Sequence, residues 1–279
     1  MIKALDHLII AVSDIDSAEE NYTKVFGVNP VWRGEHKELG TENSLFNFQN
    51  TYFELLAAKG DGLGADLVNY YLQESGDGLI GIVLGTEDIN KCYKVLQSKG
   101  YALGEISEGK GVNTKDGEIR KWKNLFLPAE LTRGIFAFII QHTKGKLEDY
   151  KSDDKSAVNK LDHVVIQTND PDGFTDIYKD IYGIRLALDK HVEPWNSRML
   201  FFRCNKTTIE VIEKKEEAGV VDKLWGLSWE VDSIKDAHKR LLKHGIEVTP
   251  IKKGIKENTL VATIKSHTNN VPTLLIEHL

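Results

Sequence analysis

One internal repeat constrains this chain more than any other feature. The segment Leu5-Asp6-His7-Leu8-Ile9-Ile10 recurs as Leu161-Asp162-His163-Val164-Val165-Ile166, an offset of 156 residues. Without a gap, the same offset pairs Asp14 with Asp170, Asp16 with Asp172, Tyr22 with Tyr178, Gly27 with Gly183 and Glu54 with Glu210. A supersecondary unit copied at fixed register produces such a match, and the unit dictates the fold. In each copy a β-branched run at the His predicts a strand. An Asp-rich turn then caps a helix of about ten residues that closes at Gly27 or Gly183. Alternating runs over 43–48 and 52–56, and over 199–204 and 208–212, predict two further strands.

A weaker pair of units fills the remainder. Residues 78–84 predict a strand, 88–100 a helix closing at Gly100, and 121–126 and 135–142 two strands. Their counterparts are 224–231, 233–245, 260–264 and 273–278. Gly81 and Gly226 lie 145 apart, as do Gly100 and Gly245, and Ile140-Gln141-His142 mirrors Ile276-Glu277-His278. Residues 144–159 are charged and aperiodic and predict a linker between one domain over 1–143 and another over 160–279.

Composition narrows the class. With 279 residues, 41% hydrophobic and 28% charged, the chain is long enough for two cores and too apolar for disorder, collagen or a coiled coil. A net charge of −6 lacks the basic field that displaces counterions from a nucleic acid. The apolar run at 135–140 falls far short of a membrane span, and Asp6, His7 and Asp14 interrupt the only stretch resembling a signal peptide. Cys92 and Cys204 offer no metal-type spacing. The expectation is a cytoplasmic protein with reduced thiols, binding neither membrane nor nucleic acid.

Four β-α-β-β-β units, paired two by two, resemble the vicinal oxygen chelate superfamily, which includes glyoxalase I, fosfomycin-resistance enzymes, methylmalonyl-CoA epimerase, extradiol dioxygenases and bleomycin-binding proteins. The segments 36–45 and 52–55 are similar to its glyoxalase-like domain group, and 225–229 and 271–276 also resemble the superfamily. The implied fold class is α+β, with four βαβββ modules paired into two half-open barrels. The resemblance implies metal ligands on the first and last strands of each unit. Carried over, these are His7, Glu54, Gly81 and Gln141 in the first barrel, and His163, Glu210, Gly226 and Glu277 in the second. Both glycines depart from the pattern.

One His with two carboxylates suits Mn, Ni, Co, Zn or Mg, so His163, Glu210 and Glu277 are favoured over His7, Glu54 and Gln141. Iron is disfavoured, because each barrel offers one His where non-haem iron sites use two. The implied function is Lewis-acid activation of a small oxygenated substrate by an isomerase, lyase or epimerase, with Glu210, Glu277 or Glu54 as ligand or base. A metal-free binding protein of the bleomycin-resistance type is the alternative, and an extradiol-type dioxygenase a second. His36, Asn43, Trp122, Trp195 and Arg198 are the expected substrate contacts. Trp32 is a further candidate for a pocket wall. A buried Glu needs a partner; Arg198 and Lys206 are candidates in the second barrel, Arg33 and Lys121 in the first. The implied partners are a small-molecule substrate and, at most, a second copy of the chain as a homodimer.

Overall fold

The structure is a computed structural model that describes residues 1–193, 196–214 and 219–279. In the first half the elements run β1 (Ala4–Ala11), α1 (Ile15–Phe26), β2 (Trp32–His36), β3 (Thr41–Asn47), β4 (Tyr52–Ala58), α2 (Leu63–Ser75), β5 (Gly78–Gly85), α3 (Ile89–Ser98), β6 (Ser107–Asn113), β7 (Ile119–Phe126), α4 (Ala129–Thr132) and β8 (Phe136–Lys144). The second half follows with β9 (Val158–Thr168), α5 (Pro171–Thr175), β10 (Arg185–Val192), β11 (Ser197–Cys204), β12 (Thr207–Glu213), β13 (Asp222–Val231), α6 (Ile234–Lys243), β14 (Lys252–Lys253), β15 (Thr259–Ile264) and β16 (Thr273–His278). No helix among the described residues is long and apolar enough to cross a membrane.

The units pair as the repeat predicts, but the two sheets end differently. The first is a closed barrel ordered β1-β4-β3-β2-β6-β7-β8-β5, sealed where Gly34 meets Asn113 and Glu35 meets Val112. The second, β10-β11-β12-β9-β13-β16-β15-β14, stays open. Hairpin length explains the difference. The β6–β7 ladder runs from the Ser107–Asn124 pair to the Val112–Ile119 pair, and its far end reaches β2. The β14–β15 ladder has only the Lys252–Val261 and Lys253–Leu260 pairs, so it stops before it could reach β10.

Large side chains occupy the closed barrel. The indoles of Trp32 and Trp122 lie over Gly34 and Gly109, where any Cβ would meet the ring nitrogens at 2.2 and 2.1 Å. Arg120 is buried beside the Trp32 and Tyr52 rings. Leu147, from the segment joining the halves, packs on Trp32 and Leu45. The helix α2 lays Val68, Tyr71 and Leu72 against Ile9, Ala11, Leu56 and Ile80. This helix has no counterpart in the repeat unit expected from the sequence.

The main core lies between the sheets. Phe26 of α1 packs against Phe46, Phe48, Phe53 and, from the other half, Trp229 on β13 at 4.9 Å. Asn50 both donates to and accepts from the backbone of Leu161. Arg133 binds Asp222 and Asp170, joining the halves again. Local signals behave as the sequence indicates: the Asp14 carboxylate accepts from the Asp16 and Ser17 N–H groups, and Gly27 closes α1 in the left-handed region at φ 72°. Asp14→Ala should cost about 1 kcal/mol in urea unfolding, the usual value of a lost cap; no change would mean the first turn is held by packing alone.

Candidate active site

The repeated Asp-His pair sits on a β-bulge in both sheets. Pairing slips between Leu5 and His7 on β1, and between the partners of His163 and Leu161 on β9. The extra residue disturbs the alternation of faces, and the Asp comes to bear on the same polar cluster as the His. Asp6 binds His7 Nδ1 at 2.7 Å, and Asp162 binds His163 Nδ1 at the same distance. The other ring nitrogen, Nε2, then points at the repeated Glu: 3.3 Å from His7 to Glu54 and 3.8 Å from His163 to Glu210.

From this shared frame the two copies diverge. In the closed barrel Asn43 donates to Glu54 at 2.6 Å, His36 Nε2 lies 3.4 Å from the Asn43 amide, and Thr41 meets His36 Nδ1 at 3.0 Å. Tyr52 stacks on His7 at 4.3 Å, and Trp122 meets His36 edge-on. At the 156 offset the open sheet has Met199 for Asn43, Val192 for His36 and Thr208 for Tyr52. Among the described residues, Glu210 therefore has no counterpart of the Asn43 donor that Glu54 has. A cavity of about 1220 Å³ lies over the open sheet instead, lined by His163, Glu210, Met199, Phe201, Leu227 and Ile276 among others.

Protonation follows the contacts. Burial alone would raise Glu54, but hydrogen bonds from His7 and Asn43 and the charge of His7 hold it below the ordinary glutamate value. Glu210 goes the other way: burial raises it, Asp162 adds to that, and His163 and Lys190 offset only part. Burial would lower His7 and His163; their carboxylate neighbours outweigh it and raise both. Asp6 and Asp162, also opposed by burial, are held far below the ordinary range by their two His partners each.

A raised His favours folding below its ordinary value of 6.5 and loses that contribution as pH climbs through the folded value. The lowered Asp6, Glu54 and Asp162 contribute above the ordinary carboxylate range and lose it as pH falls. Stability should therefore be greatest between the ordinary carboxylate and imidazole values, fall as pH rises above 6.5 and fall as pH drops below 4.5. Urea midpoints across pH check this; a midpoint that keeps rising as pH climbs above 6.5 would contradict it.

The structure corrects several expected site residues. Gln141 and Glu277 face away from His7 and His163: Gln141 accepts from Ile89 N–H at the start of α3, and Glu277 from Ile234 N–H at the start of α6. Strand alternation is the reason, since Ile140 and Ile276 point inward and the next residue must point out. The inward polar residues are one position on: His142 binds Asp6, and His278 binds Asp162. Arg198 does not join Glu210; it pairs with Asp172 and Asp189 on the outer side of β11. His36, Asn43 and Trp122 belong to the closed barrel, and Trp195 lies outside the described residues. The Asp before each His and the polar residue at the end of each sheet's last inward row were the signals available for Asp6, Asp162, His142 and His278.

The family-type metal set does not assemble. His163 and Glu210 supply two donors. Glu277 is turned to α6, and a Cβ at Gly226 would lie 2.6 Å from the Pro272 carbonyl oxygen, so no ligand side chain fits there. A different group, Asp162, Glu230 and His278, has three donor atoms within 4.8 Å of one another, although Lys160 already binds Glu230 at 2.8 Å.

Known proteins place this architecture. The family described as Glyoxalase-like domain matches residues 5–182, and that described as Glyoxalase/Bleomycin resistance protein/Dioxygenase superfamily matches 162–263. The comparison with curated protein sequences gives no match. The fold is similar to a mutant 4-hydroxymandelate synthase from Streptomyces coelicolor, with TM-score 0.68, 14% identity and coverage of 99% of this chain and 92% of that one. It is also similar to a Mn(II)-bound glyoxalase from Novosphingobium aromaticivorans, with TM-score 0.65, 14% identity and coverage of 100% and 84%. A hypothetical protein from Staphylococcus aureus gives TM-score 0.64 at 14% identity, covering 99% of both chains.

Proposed function

This chain belongs to the glyoxalase-like domain family, within the vicinal oxygen chelate superfamily, and from that premise we propose that its second sheet is an enzyme active site for proton transfer on a small oxygenated substrate. The observation that carries this reading is the contrast between the repeated acids: Glu54 is held by both Asn43 and His7, whereas Glu210 faces the cavity with His163 as its one close polar partner among the described residues.

The chemistry follows from that arrangement. Burial strengthens Glu210 as a base toward a carbon-bound proton next to a carbonyl. Asp162 fixes the His163 ring through Nδ1 and favours its protonated form, which leaves Nε2–H as a donor to the oxygen that gains charge. Returning the proton to the same carbon or to a neighbour gives epimerisation or isomerisation.

Incubation in deuterated water with a panel of small carbonyl acids, followed by proton NMR, tests this. The expected result is enzyme-dependent loss of an α-proton signal in at least one compound; no exchange across the panel would oppose the reading.

A second reading rests on Asp162, Glu230 and His278. A divalent ion held there would supply Lewis-acid polarisation of a substrate oxygen. Elemental analysis of protein purified without a metal-affinity tag separates the two. Stoichiometric Mn, Ni, Co, Zn or Mg that is lost in His278→Ala would favour the second; Lys160, which an ion would have to displace from Glu230, favours the first.

A further inference from the structure

We propose that the cavity over the second sheet takes an organic anion with an apolar body, its acid group held by lysines from the two free sheet edges. This rests on the cavity being the active site, and it specifies the substrate class. Lys190 projects from edge strand β10, and Lys252, Lys253 and Lys256 come from edge strand β14 and the turn after it; all four line the cavity. Together with Arg203 and Lys214, they make six cationic side chains against three acidic ones (Asp162, Glu210 and Glu213) among the described lining residues, in a chain of net charge −6.

The acids are engaged. Asp162 binds His163 and His278, Glu210 lies against His163, and Glu213 accepts from the Arg198 N–H. The four lysines form no ion pair: among the described residues none has a carboxylate within ion-pair distance, although Lys190 lies over the Phe201 ring at 5.8 Å and Lys59, Arg133 and Arg198 all find carboxylate partners elsewhere. Unpaired ammonium groups around a concave, partly apolar wall focus a positive potential into it.

The repeat supplies an independent control. At the corresponding offsets the closed barrel has Gly34, Ser107 and Glu108 where the open sheet has Lys190, Lys252 and Lys253. The cations accompany the opening and are not part of the copied unit. The body of the ligand is matched by the remaining wall. Leu188, Trp225 and Ile255 are exposed large apolar residues at the rim, and Met199, Phe201, Leu227 and Ile276 form the floor. Apolar groups exposed at a rim of this kind gain by covering a hydrophobic ligand.

The test uses matched probes in isothermal titration calorimetry: 4-phenylbutyrate, 4-phenylbutyl phosphate and the neutral 4-phenylbutanamide. At least one of the two acids should bind roughly tenfold more tightly than the amide, and which one does so distinguishes a carboxylate from a phosphate ligand. The combined Lys252→Glu, Lys253→Glu and Lys256→Glu variant should lose that advantage. Lys190→Glu, on the opposite edge, should weaken the acid in the same direction. Amide binding as tight as either acid, unchanged acid binding in both variants, or no binding of any probe would overturn the proposal. Binding is read without turnover, so the wild-type acid preference decides the substrate class by itself. Deuterium exchange decides the proton-transfer reading separately.

Discussion

Replacing His7 with Ala should destabilise the chain by about 3–5 kcal/mol, whereas His163→Ala should cost roughly 1 kcal/mol. The residues are copies of one another, so the difference lies in what surrounds them. His7 is 4% exposed, lies between the half-buried Asp6 and the buried Glu54, and stacks on Tyr52. Removing it leaves two carboxylates in the closed barrel with one cation fewer, and a buried charge without its partner is among the most expensive defects a protein can carry. His163 is 16% exposed, against 4% for His7, and it lines an open cavity with Glu210, so solvent can replace much of what the ring supplies. Urea unfolding of both variants reads the difference directly; equal losses would mean the barrels are equivalent in packing and that the contrast between sealed and open copies has no energetic content.

Glu210→Gln should lower the rate of substrate proton exchange by roughly 10²–10⁴-fold, the usual contribution of a general base, while leaving stability nearly unchanged. The amide keeps the shape of the carboxyl and removes only its basicity. Stability is spared because the native environment already disfavours the ionised form. Glu54→Gln should show the reverse: a loss of stability, with exchange by the folded protein within about twofold of wild type. If Glu54→Gln abolished exchange in folded protein and Glu210→Gln did not, the chemistry would belong to the first barrel.

Part of this is legible in the residues themselves. The 156 offset pairs His7 with His163 and Glu54 with Glu210, and the fold brings each His to its Glu, because strand position survives duplication. Subtler features were also present as residues. The offset falls from 156 at Glu54 and Glu210 to 145 at Gly81 and Gly226, so the first half has extra chain between those strands, and α2 occupies it. Substitution of Met199 for Asn43 foretold a less satisfied Glu210, but only once pairing showed that Asn43 reaches Glu54.

The errors have physical causes. Similarity of motif points Gln141 and Glu277 inward, whereas one residue of strand alternation puts them on the helix-facing side. The bulge that brings Asp6 and Asp162 onto the His rings is a two-against-one pairing, invisible in a single strand's pattern. Closure of one sheet and not the other depends on whether a hairpin tip reaches a strand distant in sequence, which no local periodicity encodes.

Copies of one acid, driven to opposite states by their surroundings, are most directly observed by carbon-13 NMR of the chain labelled at glutamate carboxyls and titrated with and without 4-phenylbutyrate. Glu210 should titrate above the ordinary glutamate value and shift when the probe is added, while Glu54 titrates below it and does not respond. A Glu54 signal that titrates high and moves with the probe, beside a silent Glu210, would contradict the account.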